Sequence, residues 1–265
     1  MAAYYQLKQR EHLQDGSVIS YYQCHIHCQG AWNPNEQHMA PAGGILAHEL
    51  ARFNPRPELR IGRIGYDILG LIPFGEFFIE TKVIRGGKTI ELLESTMIAK
   101  GRPCIVARAW RMQTQDTHAI AGLEDTFVTP PEQLPLWEGM KCWPGGYIQS
   151  ITTRADDTRR GGRGVVWLNT QVEMVEGENT LDFVRLIGMI DAANGIVPRV
   201  EPGQGWAFPN LDLQIHLYRE PQGQWLGLEA TQQYGTDGIG LTSAVLHDQC
   251  GPFGRSEQIL TLRAM

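Results

Sequence analysis

The sequence is short of the features that mark membrane, secreted and nucleic-acid-binding proteins. None of its apolar runs approaches the roughly 20 residues that a membrane-spanning helix needs. Lysine and arginine total 23 against 29 acidic residues and form no cluster, so we expect neither a membrane span nor a nucleic-acid partner. Residues 1–14 are polar and lack the apolar segment of a secretory signal, which predicts a cytoplasmic protein.

Cysteine is also scarce. The five cysteines are an odd number and are spread along the chain, which argues against a disulfide framework. Cys24-His25-Ile26-His27-Cys28 has the residue types of a zinc site, but a strand over residues 17–30 would turn its Cys and His side chains to opposite faces. The sequence has no Walker loop and no strand–GxGxxG–helix unit. We therefore expect neither a metal nor a cofactor.

What the sequence does contain is a helical pattern with an acid on its apolar face. Residues 180–198 have the sequence TLDFVRLIGMIDAANGIVP, with Thr180 as the predicted N-cap and Gly195 and Pro198 as stop signals. The helical spacing places Asp191 on the same face as Ile187. Because a carboxylate in an apolar setting costs free energy unless it is paired, we expect polar partners around Asp191 and a functional role for it.

The predicted elements occur in the same order twice: a strand, a helix and four further strands. The first set lies at residues 17–30, 43–53 and 60–112, and the second at residues 165–175, 180–197 and 212–263. A helix surrounded by a strongly bent antiparallel sheet, formed twice, would bury the apolar faces of all these elements.

Between the two sets lies a segment without a regular pattern. Residues 129–163 begin with Thr129-Pro130-Pro131 and close with a charged, glycine-rich run, a composition typical of linkers. We predict an N-terminal repeat at residues 1–128, a linker at residues 129–163 with Trp137 and Trp143 as anchors, and a C-terminal repeat at residues 164–265.

The ordered motifs of the chain resemble those of the acyl-CoA thioesterase II (TesB-like) family. In the first half the resemblance rests on Gly43-Gly44 and Leu71-Ile72-Pro73-Phe74-Gly75. In the second half it rests on Leu186-Ile187-Gly188-Met189-Ile190-Asp191, Asn210-Leu211-Asp212-Leu213, His216-Leu217-Tyr218-Arg219-Glu220-Pro221 and Ser256-Glu257-Gln258. The resemblance covers nearly the whole chain and implies an α+β double hotdog fold, acyl-CoA as the substrate and a homodimer.

The resemblance also implies three catalytic positions, all in the C-terminal repeat. The family uses an Asp on the second hotdog helix, a Thr or Ser at the start of the following strand and a Gln on the last strand. These positions fall on Asp191, Asn210 and Gln258. Asn210 departs from the family pattern, because it replaces a hydroxyl by an amide.

These residue types suit the hydrolysis of a thioester by water. The reaction needs a proton acceptor for the water and donors for the developing oxyanion. Asp191 is the predicted acceptor, while Gln258, an amide on an otherwise apolar strand face, and Asn210 would fix the water. We expect the acyl chain to occupy an apolar tunnel walled by Ile187 and Ile190.

Two other functions stay open from the sequence. The amide of Asn210 in place of a hydroxyl is compatible with a non-catalytic protein that binds acyl-CoA or an acyl chain. His48 on the first helix and Asp67 in the first sheet suggest a hotdog enoyl-CoA hydratase, with His48 as the base.

Overall fold

The computed structural model of the chain describes residues 2–201 and 203–265. The strands at Val18–Cys24 and Ile90–Ala99 alternate buried and half-buried side chains, so that each presents one face to a core. In chain order, the strands are β1 (Ala3–His12), β2 (Val18–Cys24), β3 (Leu59–Ile68), β4 (Glu76–Arg85), β5 (Ile90–Ala99), β6 (Arg102–Gln113), β7 (Ile151–Ala155), β8 (Arg163–Thr170), β9 (Glu173–Val175), β10 (Trp206–Ala207), β11 (Asp212–Leu217), β12 (Trp225–Tyr234), β13 (Ile239–Asp248), β14 (Gly251–Thr261) and β15 (Arg263–Ala264). The α-helices are α1 (Met39–Arg52), α2 (Gly146–Gln149), α3 (Asp182–Ile187) and α4 (Ala193–Ile196).

One sheet joins the two halves of the chain. Within the described ranges it has 13 strands in the order β7-β8-β12-β13-β14-β11-β3-β6-β5-β4-β2-β1-β9, while β10 and β15 form a separate pair. The halves meet where β3 pairs with β11, from Arg63 opposite His216 to Asp67 opposite Asp212. Helix α1 packs against β4, β5 and β6 of the first half, and α4 packs against β12 and β13 of the second.

The predicted continuous helix over residues 180–198 is wrong. The segment consists of α3, a 3₁₀ turn at Ile190–Ala192 and the short helix α4. Leu181, not Thr180, is the N-cap residue, and the hydroxyl of Thr180 accepts a 2.7 Å hydrogen bond from the Met174 amide instead. The break follows Gly188, which packs against α1 at Gly44. Gly188 has no side chain, which allows the close contact with α1, and glycine is a poor helix former, which favours the break at the same residue.

The first half differs from the prediction at two element boundaries. Strand β2 ends at Cys24, so residues 26–28 form a 3₁₀ turn and not the end of a strand. Helix α1 begins at Met39 and includes Pro41 in its first turn, where proline is tolerated because the amides there need no helical acceptor. The four later strands of this half lie within a few residues of their predicted bounds.

Two strands of the main sheet were missed. Strand β1 pairs with β2 and buries Tyr4 and Tyr5, although most of its remaining residues are polar. Strand β7 lies inside the predicted linker, where it pairs with β8 and extends the main sheet. The predicted anchor Trp143 is buried. The segment 129–163 is therefore more regular than its composition indicates, while the division of the chain at residues 128 and 163 stays a prediction.

None of the helices in the described part of the chain is long and apolar enough to cross a membrane.

Candidate active site

Asp191 lies in the 3₁₀ turn between α3 and α4, and its side chain is only 8% exposed. Its Oδ1 accepts a 2.9 Å hydrogen bond from Asn210 Nδ2, and its Oδ2 lies 3.4 Å from His38 Nδ1. Burial raises the pKa of Asp191 from 3.8 to about 6, while the hydrogen bond from Asn210 lowers it. A carboxylate with such a pKa can accept a proton near neutral pH and release it again.

Asn210 precedes β11 and is fixed by its backbone as well as its side chain. It forms an isolated bridge with Leu260 of β14. Besides its bond to Asp191, its Nδ2 donates a 3.2 Å hydrogen bond to the carbonyl oxygen of Asp212. Both amide hydrogens of Asn210 are therefore in use, and the residue orients the Asp191 carboxylate.

Gln258 lies on β14 and is fully buried. Its Nε2 donates a 3.5 Å hydrogen bond to the backbone oxygen of Asp191, not to the carboxylate. Its Oε1 is enclosed and has no hydrogen-bond partner among residues 2–201 and 203–265. Since buried polar atoms are almost always satisfied, this oxygen is suited to accept a hydrogen bond from a water molecule. The three residues that the sequence singled out thus converge on one turn.

His38 was missed by the sequence analysis. It is the N-cap of α1, where its Nδ1 accepts a 3.1 Å hydrogen bond from the Ala40 amide. Its ring packs against Tyr147, with ring centroids 4.3 Å apart and the ring planes tilted by 35°. Burial lowers the pKa of His38 from 6.5 to about 3, so the imidazole is neutral at physiological pH. A polar residue directly before a helix indicates an N-cap, but the predicted helix began at Gly43, so His38 did not stand next to it.

A cavity of about 370 Å³ opens beside Asp191, His38 and Asn210. Its remaining lining is largely apolar and aromatic. These side chains include Trp32, Met39, Ile68, Ile72, Met140, Trp143, Ile148 and Phe208. A largely apolar cavity with a small number of polar groups in its wall is the usual form of a small-molecule site.

Other residues selected from the sequence lie away from this cavity. Ile187 and Ile190 are buried, but neither is among its lining residues. His48 is also buried, and its Nε2 lies 3.5 Å from Glu178 Oε2, away from the cavity lining. The cavity wall on the Asp191 side is formed by Asp191, Ala192, Asn194 and Gly195 instead.

Comparison with known families gives a match in each half. The N-terminal domain model of acyl-CoA thioesterases matches residues 28–112, and the C-terminal domain model matches residues 131–262. The chain belongs to the acyl-CoA thioesterase family. The second model includes most of the segment predicted as a linker. No curated protein matches the sequence.

Solved structures confirm the double hotdog α+β fold. A conserved protein of unknown function with a hot dog fold from Alicyclobacillus acidocaldarius is 13% identical, with a TM-score of 0.75 over 97% of this chain and 96% of that one. An acyl-CoA thioesterase II, TesB2, from Mycobacterium marinum is 13% identical, with a TM-score of 0.68 over 97% of this chain and 95% of that one. The dehydratase domain of PpsC from Mycobacterium tuberculosis, in complex with C12:1-CoA, is 11% identical, with a TM-score of 0.53 over 97% and 98% of the two chains. At these identities the likeness shows the fold alone.

Proposed function

We propose that this acyl-CoA thioesterase family member hydrolyses acyl-CoA to a carboxylic acid and CoA, with Asp191 as the general base. The observation that supports this most is the buried Asp191 carboxylate, oriented by Asn210, in the wall of a largely apolar cavity. An acyl chain would occupy the apolar part of the cavity, which places its thioester beside the carboxylate.

The reaction needs no covalent intermediate. Asp191 accepts a proton from a water molecule whose oxygen bonds to the thioester carbonyl carbon. The tetrahedral intermediate then collapses, the carbon–sulfur bond breaks, and the thiolate of CoA leaves with the bonding electron pair. Asp191 returns its proton to the thiolate, which restores the enzyme. Gln258 is not among the cavity-lining residues; its Nε2 donates to the backbone oxygen of Asp191, so it would position the turn that carries the base.

Release of CoA thiol from a panel of acyl-CoAs, short to long, tests this proposal. Asp191→Asn keeps the size of the side chain and an oxygen for the Asn210 hydrogen bond but removes the base. We expect it to lower kcat by roughly a thousandfold or more. Asp67→Asn is the matched control, because Asp67 is an exposed acid on β3, outside the cavity lining. Turnover by Asp191→Asn at the wild-type rate would contradict the role of Asp191.

A binding protein is the second candidate. The feature that favours it is Asn210, whose two amide hydrogens are already engaged. Tight binding of acyl-CoA without thiol release by the wild-type protein would decide for it. The hydratase hypothesis loses its support, because His48 is absent from the cavity lining. The homodimer and the cytoplasmic location implied earlier stay predictions.

A further inference from the structure

The proposed hydrolysis still needs a hydrogen-bond donor for the carbonyl oxygen of the thioester. When water adds to the carbonyl carbon, negative charge develops on the carbonyl oxygen and needs a hydrogen-bond donor. Asn210 cannot supply it, because its amide hydrogens go to Asp191 and to the backbone of Asp212. Gln258 directs its amide to the backbone oxygen of Asp191.

His38 is the second side chain that contacts the Asp191 carboxylate, and the backbone of α1 determines which of its nitrogens has the hydrogen. Nδ1 accepts the Ala40 amide hydrogen at 3.1 Å. A neutral imidazole has one N–H, so the hydrogen must be on Nε2. His38 therefore cannot use Nε2 as a base toward water, but it can use Nε2–H as a donor.

The orientation of the His38 ring also leaves Nε2 free to donate a hydrogen bond. Nδ1 faces the start of α1 and Asp191, and the ring packs at a tilt against Tyr147. Within the described ranges, Nε2 makes no hydrogen bond, and it is not among the enclosed unpartnered atoms. The side chain lines the cavity and remains 15% exposed. Nε2 is thus the unpaired and not fully enclosed nitrogen of a ring that lines the cavity.

We propose that His38 Nε2–H donates a hydrogen bond to the thioester carbonyl oxygen and to the oxyanion formed from it. The proposal rests on the proposed hydrolysis and completes it: Asp191 takes the proton from water, and His38 stabilises the charge on oxygen. The imidazole transfers no proton, since it stays neutral throughout the step. His38 precedes α1 and Asp191 precedes α4, so the reaction centre requires both halves of the chain.

A purely structural role for His38 as a helix cap is the competing explanation, and two variants separate the roles. His38→Asn keeps a side-chain oxygen that can accept the Ala40 amide hydrogen, because Asn is a favoured N-cap, but it removes Nε2–H. His38→Ala removes both the cap and the donor. The cap is measured by thermal stability, and the donor by kcat.

We expect kcat to fall about 10²–10³-fold in both variants, the usual loss for one oxyanion donor. KM should stay within about threefold, since the hydrogen bond strengthens mainly in the transition state. Loss of a cap costs about 1 kcal/mol, so His38→Ala should melt at a lower temperature than His38→Asn. A kcat within about threefold of wild type in a folded His38→Asn protein overturns the proposal.

A spectroscopic experiment tests the same contact without turnover. Octanoyl-carba-CoA, a ketone in which a methylene replaces the thioester sulfur, cannot be hydrolysed. We expect its carbonyl stretch, measured by difference infrared spectroscopy, to lie at lower wavenumber when bound to wild type than to His38→Asn. Equal stretches in the two complexes, or no binding of the ketone, overturn the proposal. Failure of the hydrolysis proposal appears separately, as absence of thiol release by the wild-type protein.

Discussion

Asn210 Nδ2 donates a 2.9 Å hydrogen bond to Asp191 Oδ1 across a sequence separation of 19 residues. The bond links the turn before α4 to the segment before β11, which is itself bridged to Leu260. The amide thereby orients a carboxylate that burial would otherwise disfavour in its charged form.

The pH dependence of turnover should report the ionisation of Asp191. We expect kcat/KM to rise with pH and to level off above a pKa of about 6, because only the ionised carboxylate accepts a proton. His38, whose pKa burial lowers to about 3, and Tyr147, whose pKa burial raises well above 10.0, keep their charge states over this range. Turnover should be followed by the loss of thioester absorbance, because a reagent that detects the thiol would itself respond to pH. Glu36 also lines the cavity, so Glu36→Gln is the control. If the rising part of the pH profile moves in this variant, the ionisation belongs to Glu36 and not to Asp191.

Removal of the Asn210 amide should move the rise of kcat/KM to higher pH. The hydrogen bond stabilises the charged form of Asp191, so Asn210→Ala is expected to raise its pKa further and to lower kcat by about 10-fold or more. Asn210→Ser retains a donor of shorter reach and should lie between Asn210→Ala and wild type. The measurement is the pH profile of kcat/KM for the three proteins. If kcat/KM rises at the same pH in wild type and Asn210→Ala, the Asn210 amide does not lower the pKa of Asp191.

Asp191→Asn should stabilise the protein at neutral pH while it abolishes activity. The carboxyl has a pKa of 3.8 in the unfolded reference and about 6 in the folded chain, so wild type loses stability as pH rises between these values. The full loss is up to about 3 kcal/mol, since one pKa unit corresponds to about 1.4 kcal/mol. We expect denaturant unfolding to show a gain for the variant at pH 8 and little gain at pH 4. A gain that is equal at both pH values would have another cause.

The close contact between α1 and α3 gives a pair of matched substitutions. A Cβ at Gly44 would lie 2.4 Å from Met174 Cε and 2.9 Å from Gly188 Cα, whereas a Cβ at Gly43 would meet nothing closer than 3.5 Å. Gly44→Ala should therefore lower the free energy of unfolding by about 1–3 kcal/mol and reduce kcat, because it displaces α1 and His38 from Asp191. Gly43→Ala should raise stability by about 0.5–1 kcal/mol through helix propensity. Equal effects of the two changes would show that the contact is not tight.

Phe208 should limit the length of the acyl chain. It is buried and lines both the site cavity and a second cavity of about 370 Å³ near Tyr234 and Leu262. Phe208→Ala would connect the two, and each additional buried methylene contributes about 0.8 kcal/mol. We expect kcat/KM for long-chain relative to short-chain acyl-CoA to rise roughly tenfold or more. Phe253→Ala, another fully buried Phe outside both linings, controls for general loss of packing.

The sequence indicated several residues of the candidate site because the motifs of the second half occur in a fixed order. It indicated Asp191, Asn210 and Gln258, and the structure brings the three together at one turn. It missed His38 because the contact with Asp191 joins residues from different halves, and no local pattern encodes that distance. The acyl site was placed beside Ile187 and Ile190 on the assumption of an unbroken helix, whereas the segment is interrupted after Gly188.

Local patterns also failed where burial is uneven along an element. Strand β1 buries only its first residues, so its polar remainder gives no strand signal. Helix α1 begins four residues before the predicted helix at residues 43–53, because Pro41 in its first turn gives no local helix signal. Strand β7 was hidden by the proline and glycine content around it, although its pairing with β8 determines its structure.

The pairing of β3 with β11 has a consequence for how the molecule loses its structure. Since one sheet runs through both repeats and the two helices touch at glycine, neither repeat can melt without exposing an edge and a core face of the other. We therefore expect the two halves to unfold as one cooperative unit. We expect a truncated chain with one half alone to lack a stable core, and it would contain either His38 or Asp191 but not both.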